Sequence, residues 1–151
     1  FLCNTRYPEE LGNGLAVRAV VEIRGKKYAV YSAHLELYAT PKQRMAQLKR
    51  IFDDADDLGH PAIIGGDFNF IAEGRSSRTS RFIKGQGFDD PFGDKKESTI
   101  NDRLTDFAHV IFPSGGALDR LLSRGVMPRK HRVLDSVKAS DHYPLMAEYY
   151  L

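Results

Sequence analysis

Short apolar runs of two kinds alternate along this chain. The segment LAVRAVVEI at 15–23 is rich in β-branched residues, and KYAVYSAH at 27–34 repeats the pattern after an Arg24-Gly25-Lys26 turn; together they predict a β-hairpin. The period then changes. Met45, Leu48, Ile51 or Phe52, Ala55 and Leu58 recur at helical spacing, which predicts a helix whose apolar stripe faces the core. Its ends are punctuated: Thr40 as N-cap, Pro41 in the first turn, Gln43 completing a capping box, and Gly59 closing it. PAIIG at 61–65 is apolar on both faces and predicts a short central strand. Residues 71–103 hold Gly85, Gly87, Pro91 and Gly93 and predict a long surface excursion, with a helix near 77–84. Further strands are expected at about 107–112, 117–123, 132–137 and 144–150. This order of elements predicts a layered α/β domain with a mixed sheet over 1–151.

Composition narrows the picture. A hydrophobic fraction of 42% is enough for a core in a chain of 151 residues, and no apolar run reaches the roughly 18–20 residues of a membrane span. The opening FLCNTRYPEE has neither the basic start nor the apolar run of a signal peptide, so a soluble protein is expected. Cys3 is the single cysteine, which excludes an intramolecular disulfide and fits a reducing, cytoplasmic setting. Net charge is +2, too mild to announce a nucleic-acid binder. The charges are clustered, however. Asp53, Asp54, Asp56 and Asp57 form an acidic patch; Arg75, Arg78, Arg81 and Lys84 form a basic one, and Arg124, Arg129, Lys130, His131 and Arg132 another. Each reads as solvated surface, and the basic ones also suit phosphate attraction.

Polar groups stand just past apolar strands at three places. AHLE at 33–36 ends the second hairpin strand, GGDFN at 65–69 ends the central one, and SDHYP at 140–144 opens the last. A fourth segment, LDRLL at 118–122, sets Asp119 inside an apolar strand, where it would pair with Arg120 or another base. Taken singly, each has a structural explanation, such as an Asx turn, a loop cap or a satisfied strand-end histidine. Taken together they supply hard oxygens (Asp67, Asn69, Asp141) suited to Mg²⁺ or Mn²⁺, and two imidazoles (His34, His142) suited to charge developing on a phosphate. Asp119 would orient one imidazole. A serine triad fits less well, since Ser140 has no G-x-S-x-G elbow, and Gly65-Gly66 lacks the Gly-Lys-Ser/Thr of a phosphate loop.

SAHLE at 32–36, Arg44 and Gln47, PAIIGGDFN at 61–69, LDRLLSRG at 118–125 and SDHYPL at 140–145 resemble the endonuclease/exonuclease/phosphatase superfamily. That group contains DNase I-like nucleases, abasic-site endonucleases, sphingomyelinases and inositol polyphosphate 5-phosphatases. The resemblance runs from about Arg6 to Leu151. It implies a four-layer α-β-β-α sandwich and a metal-dependent phosphoester hydrolase. It also implies a role for each matching residue. His34 would contact the scissile phosphate and assist the leaving group, and Asp67 would prepare the attacking water. Asn69 would bind phosphate or metal, and Asp141 would bind metal. His142 would be the second phosphate-contacting histidine, positioned by Asp119. Gly65-Gly66 would let a phosphate approach.

The same resemblance implies what this chain lacks. Family members carry an earlier half with a strand-borne Asn and then a Glu that is the principal Mg²⁺ ligand; here no Gln-Glu pair precedes the hairpin, and Glu22, Glu36 and Glu73 do not match that position. The expectation is therefore a sandwich without its N-terminal part, completed by a second chain or by more of a longer one. Two readings follow: a hydrolase acting on a nucleic acid, phospholipid or inositol phosphate, or a reduced relative that binds phosphates or another protein. Arg75, Arg78 and Arg81 suit DNA, whereas Phe82, Phe88 and Phe92 at loop tips would suit lipid.

Overall fold

The structure is a computed structural model that describes residues 2–4, 14–70, 77–93, 98–101 and 116–151. The expected hairpin is present as β2 (Leu15–Ile23) and β3 (Lys26–His34), closed by Arg24 and Gly25, both at positive φ. A short β1 (Leu2–Asn4) pairs antiparallel with β2. Helix α1 (Pro41–Leu58) begins at Thr40, whose hydroxyl accepts from the Gln43 N–H while the Gln43 side chain returns to the Thr40 N–H. Gly59 ends it at φ 63. The helix is the crossover that makes β4 (Ala62–Asp67) parallel to β3. Helix α2 (Arg78–Gly85) starts on a Ser77 cap. β5 (Asp119–Arg124) runs antiparallel to β4, giving one five-stranded sheet in the order β1-β2-β3-β4-β5.

β6 (Met127–Val133) and β7 (Leu145–Tyr150) form a separate two-stranded ribbon. β6 begins about five residues before the strand expected at 132–137. Its sequence, MPRKHRV, has a proline, four basic side chains and a bulge between Pro128 and Lys130, so it lacks the apolar alternation that marks a strand. The strand expected at 107–112 lies outside the described residues.

One face of the sheet packs on the helices. Ala16, Ala29, Tyr31, Ala33, Ala62, Ile64 and Leu122 meet Leu48, Ile51, Phe52 and Ala55 of α1 in a core completed by Phe68, Phe70, Ile83 and Phe88. Phe88 and Phe92 are thus not loop tips: they are 2% and 3% exposed, and Phe88 stacks on Phe52 at 4.3 Å. Nor is the acidic stretch of α1 merely solvated. Asp54 binds Arg18 and the Tyr31 hydroxyl, each at 2.8 Å, while Asp56 pairs with Arg124 and Asp53 with Lys49. The opposite sheet face is bare along β2, where Leu15, Val17, Val21 and Ile23 are 37–47% exposed. None of the described helices is long and apolar enough to cross a membrane.

Candidate active site

The register of three strands places three of the expected residues in one row. His34, the last residue of β3, is paired with Asp67, the last of β4, and Asp67 with Asp119, the first of β5. Partners in register point to the same side of a sheet, so an imidazole and two carboxylates stand abreast on the face turned away from the helices. The nearest oxygen of Asp67, Oδ2, is 3.6 Å from His34 Nε2. Asp119 does not pair with its neighbour Arg120, because adjacent strand residues point to opposite faces. Arg120 instead sits 3.7 Å from Asp90 and donates to the Phe92 carbonyl at 3.0 Å. Asp119 Oδ2 lies 2.8 Å from His142 Nδ1. That bond commits Nδ1 to Asp119 and leaves Nε2 as the nitrogen able to meet a ligand.

Asn69 is 2% exposed and adopts φ 52. Its N–H donates to Asp67 Oδ1 at 2.9 Å, an Asx turn that fixes the carboxylate, and its Nδ2 donates to the Leu35 carbonyl at 2.8 Å. With that end of the amide tied to the β3 side of the site, Oδ1 is the end suited to a cation. The loop after His34 is equally constrained. Arg44, buried on α1, donates to the carbonyls of Leu37 and Ala39 at 3.1 and 2.5 Å, and Gln47 accepts from the Glu36 N–H. Asp141 is exposed in the turn before His142 and accepts from the Ser140 hydroxyl at 3.1 Å. A cleft of about 480 Å³ opens between the sheet face (Ser32, Gly65, Leu121, Asp119) and the 140–145 segment that carries His142.

The two glycines meet different neighbours. A Cβ on Gly66, at φ 143, would fall 1.9 Å from the Ala33 carbonyl oxygen, and one on Gly65 would fall 2.7 Å from Leu121 Cδ2. The missing side chain of Gly66 lets β4 lie against β3, while Gly65 also lines the cleft.

Electrostatics separate the two key groups. The bond to Asp119 raises the His142 pKa to about 9 against the opposing effect of burial, so the ring is an imidazolium at neutral pH. Burial pushes the Asp67 carboxyl up, and the Asp119 charge adds to this; the Asn69 N–H and the two histidines oppose it. A base whose charged form is penalised is a better proton acceptor, and a cationic ring is a ready donor to an oxyanion. Because the folded state raises the His142 pKa above 6.5, its contribution to stability is complete below about pH 6.5 and is lost as pH rises through about 9. The urea midpoint is expected to fall across that window, and Asp119→Asn to flatten the fall. An equal slope in the two proteins would rule out the pair as its source.

A metal fits these residues only in part. Among the described residues, no three His, Cys, Asp or Glu side chains gather closely enough to hold an ion. Asp67, Asn69 and Asp141 include only two such side chains, Asp67 and Asp141. Of the basic positions, Arg78, Arg81 and Lys84 are exposed on α2, whereas Arg75 lies outside the described residues. Thr99 and Asn101, buried beside the Asp119–His142 pair, were not legible as site residues, since a Thr and an Asn in a turn-rich stretch look like any loop.

The fold is shared with solved structures. The chain has the fold of a mannosyl-6-phosphatase from Bacteroides thetaiotaomicron, at 18% identity and a TM-score of 0.71, covering 95% of this chain and 59% of that one. It is likewise similar to D. rerio TDP2 complexed with a single-strand DNA product, at 16% identity and a TM-score of 0.72, covering all of this chain and 66% of that one. A third neighbour is beta toxin from Staphylococcus aureus, at 21% identity and a TM-score of 0.61, covering 88% of this chain and 56% of that one. The chain thus spans between 56% and 66% of the length of these structures. No curated protein matches it. A model of the endonuclease/exonuclease/phosphatase family matches residues 4–142, and the chain belongs to that family.

Proposed function

We propose that the protein is a phosphoester hydrolase that cleaves by attack of water on phosphorus. The observation that carries this reading is the row His34–Asp67–Asp119, with the His142 ring held on Asp119 at 2.8 Å. Asp67 accepts the proton of the attacking water as the new P–O bond forms. The His142 Nε2–H donates to a phosphoryl oxygen whose charge grows in the transition state. His34, on the other side of Asp67, supplies a proton to the departing oxygen as its bond to phosphorus breaks. Mg²⁺ or Mn²⁺ is the proposed cofactor: Asp67, Asn69 Oδ1 and Asp141 offer it hard oxygens, with further ligands needed beyond them, and it would supply charge stabilisation at the phosphate.

Substrate is a matter for assay, with abasic DNA, plasmid DNA, sphingomyelin and inositol phosphates each offered to the intact protein with Mg²⁺ and with chelator. Hydrolysis of at least one, stopped by chelator, is the expected result. Turnover unchanged by chelator would refute the metal's part in it. A second reading is a phosphate-binding relative without turnover. Saturable binding of these ligands with no product formed would select that reading instead.

A further inference from the structure

We propose that Thr99 and Asn101 are positioning residues that hold the Asp119–His142 pair together. The two members of that pair are 23 residues apart in sequence and reach one another from different elements, the start of β5 and the loop before β7. Residues 98–101 form a strap between them. Thr99 is 2% exposed, and its hydroxyl accepts from the N–H groups of Leu118 and Asp119 at 3.0 and 3.2 Å while donating to the Gly116 carbonyl at 3.2 Å. The Thr99 N–H bonds that same carbonyl at 2.8 Å. One small side chain thereby satisfies the first two donors of the segment that presents Asp119, where a strand end has no ladder to do so.

The other edge of the strap holds the histidine. Ile100 and His142 form an isolated β-bridge, in which the Tyr143 N–H donates to the Thr99 carbonyl and the Asn101 N–H to the Asp141 carbonyl, both at 2.7 Å. Asn101, 1% exposed, adds both ends of its amide: Nδ2 donates to the Ser140 carbonyl at 3.0 Å, and Oδ1 accepts from the Tyr143 hydroxyl at 3.1 Å. His142 therefore sits between two residues pinned to the strap. A strap bonded along both edges sets the separation of carboxylate and ring far more tightly than the single side-chain bond between them. Groups that orient a functional side chain typically contribute about 10–100-fold to activity when lost.

Thr99→Val keeps the shape and removes the hydroxyl, and Thr99→Ser restores it. The intact protein is assayed at a temperature where circular dichroism shows all variants folded. The kinetic arm rests on the phosphoesterase reading: with bis(p-nitrophenyl) phosphate, Thr99→Val is expected to lower kcat about 10–100-fold with KM little changed, Thr99→Ser to recover most of it, and Asn101→Ala to resemble Thr99→Val. A second arm does not depend on turnover. The His142 Nδ1 proton, held on a carboxylate, is expected to give a downfield NMR resonance, to be identified by its loss in His142→Gln. That resonance should persist in Thr99→Ser and broaden or vanish in Thr99→Val. Wild-type kcat together with an unchanged resonance in Thr99→Val would overturn the proposal. A wild type that hydrolyses nothing but whose resonance still depends on the Thr99 hydroxyl would reject the phosphoesterase reading and keep the strap.

Discussion

Asp67→Asn is expected to abolish most hydrolysis, by about 10²-fold or more, while leaving the protein at least as stable as before. The two halves of this result come from the same carboxylate. In the proposed mechanism it takes the proton as a base, which an amide cannot do. As a structural element it is partly buried with its charge penalised, because burial raises its pKa. An acid whose folded-state pKa is raised favours folding when protonated and costs stability once ionised, so neutralising it at pH 7 removes a cost. The Asx turn survives, since the amide oxygen of Asn can still accept from the Asn69 N–H. Turnover on the substrate identified by the panel and the urea midpoint are both measured on purified protein. Near-full turnover would contradict the assigned role, and a clear drop in midpoint would show that attraction from the two histidines outweighs desolvation at this site.

Gly66→Ala is expected to be the most damaging single methyl in the described structure. The added carbon lands 1.9 Å from the Ala33 oxygen, and the neighbour that would have to give way is backbone in the adjacent strand. A non-glycine residue at positive φ costs about 1–3 kcal/mol, and overpacking of a tight interior costs about 1–3 kcal/mol more. A loss of about 2–6 kcal/mol is a large part of the ~5–15 kcal/mol that ordinarily separates folded from unfolded chains. Gly25→Ala is the matched control: φ there is 76, and nothing lies within 4 Å of the added carbon. If thermal melts show both substitutions costing the same, close approach of β3 and β4 is not the reason for glycine at 66.

Local elements were legible in the sequence because their causes are local. Thr40, Pro41, Gln43 and Gly59 bracket α1 by backbone chemistry that needs no knowledge of the rest, and the turn at 24–25 closes the hairpin likewise. The strand ends that carry His34 and Asp67, and the segment before β7 that carries His142, stood out because polar residues interrupt apolar runs. What the sequence hid is non-local. That His34, Asp67 and Asp119 share one row is decided by register across three strands, one parallel pairing and one antiparallel. That Arg120 turns to Asp90 while Asp119 turns to His142 depends on which sheet face each neighbour reaches. Phe88 and Phe92 looked like exposed loop aromatics because nothing in a turn-rich stretch signals that it folds back over Phe52 and β5. The basic composition of β6 masked a strand that closes a ribbon instead of filling a core.

The single-file arrangement of His34, Asp67 and Asp119 makes the site a gauge of correct assembly. Because side chains alternate across a sheet, sliding β4 by one residue against its neighbours would swing Asp67 to the helix side and bring Gly66 or Phe68 into its place. No intermediate alignment leaves the acid half-engaged. A population containing some mispaired molecules should therefore show fewer working sites, each at full speed, rather than a uniformly sluggish ensemble.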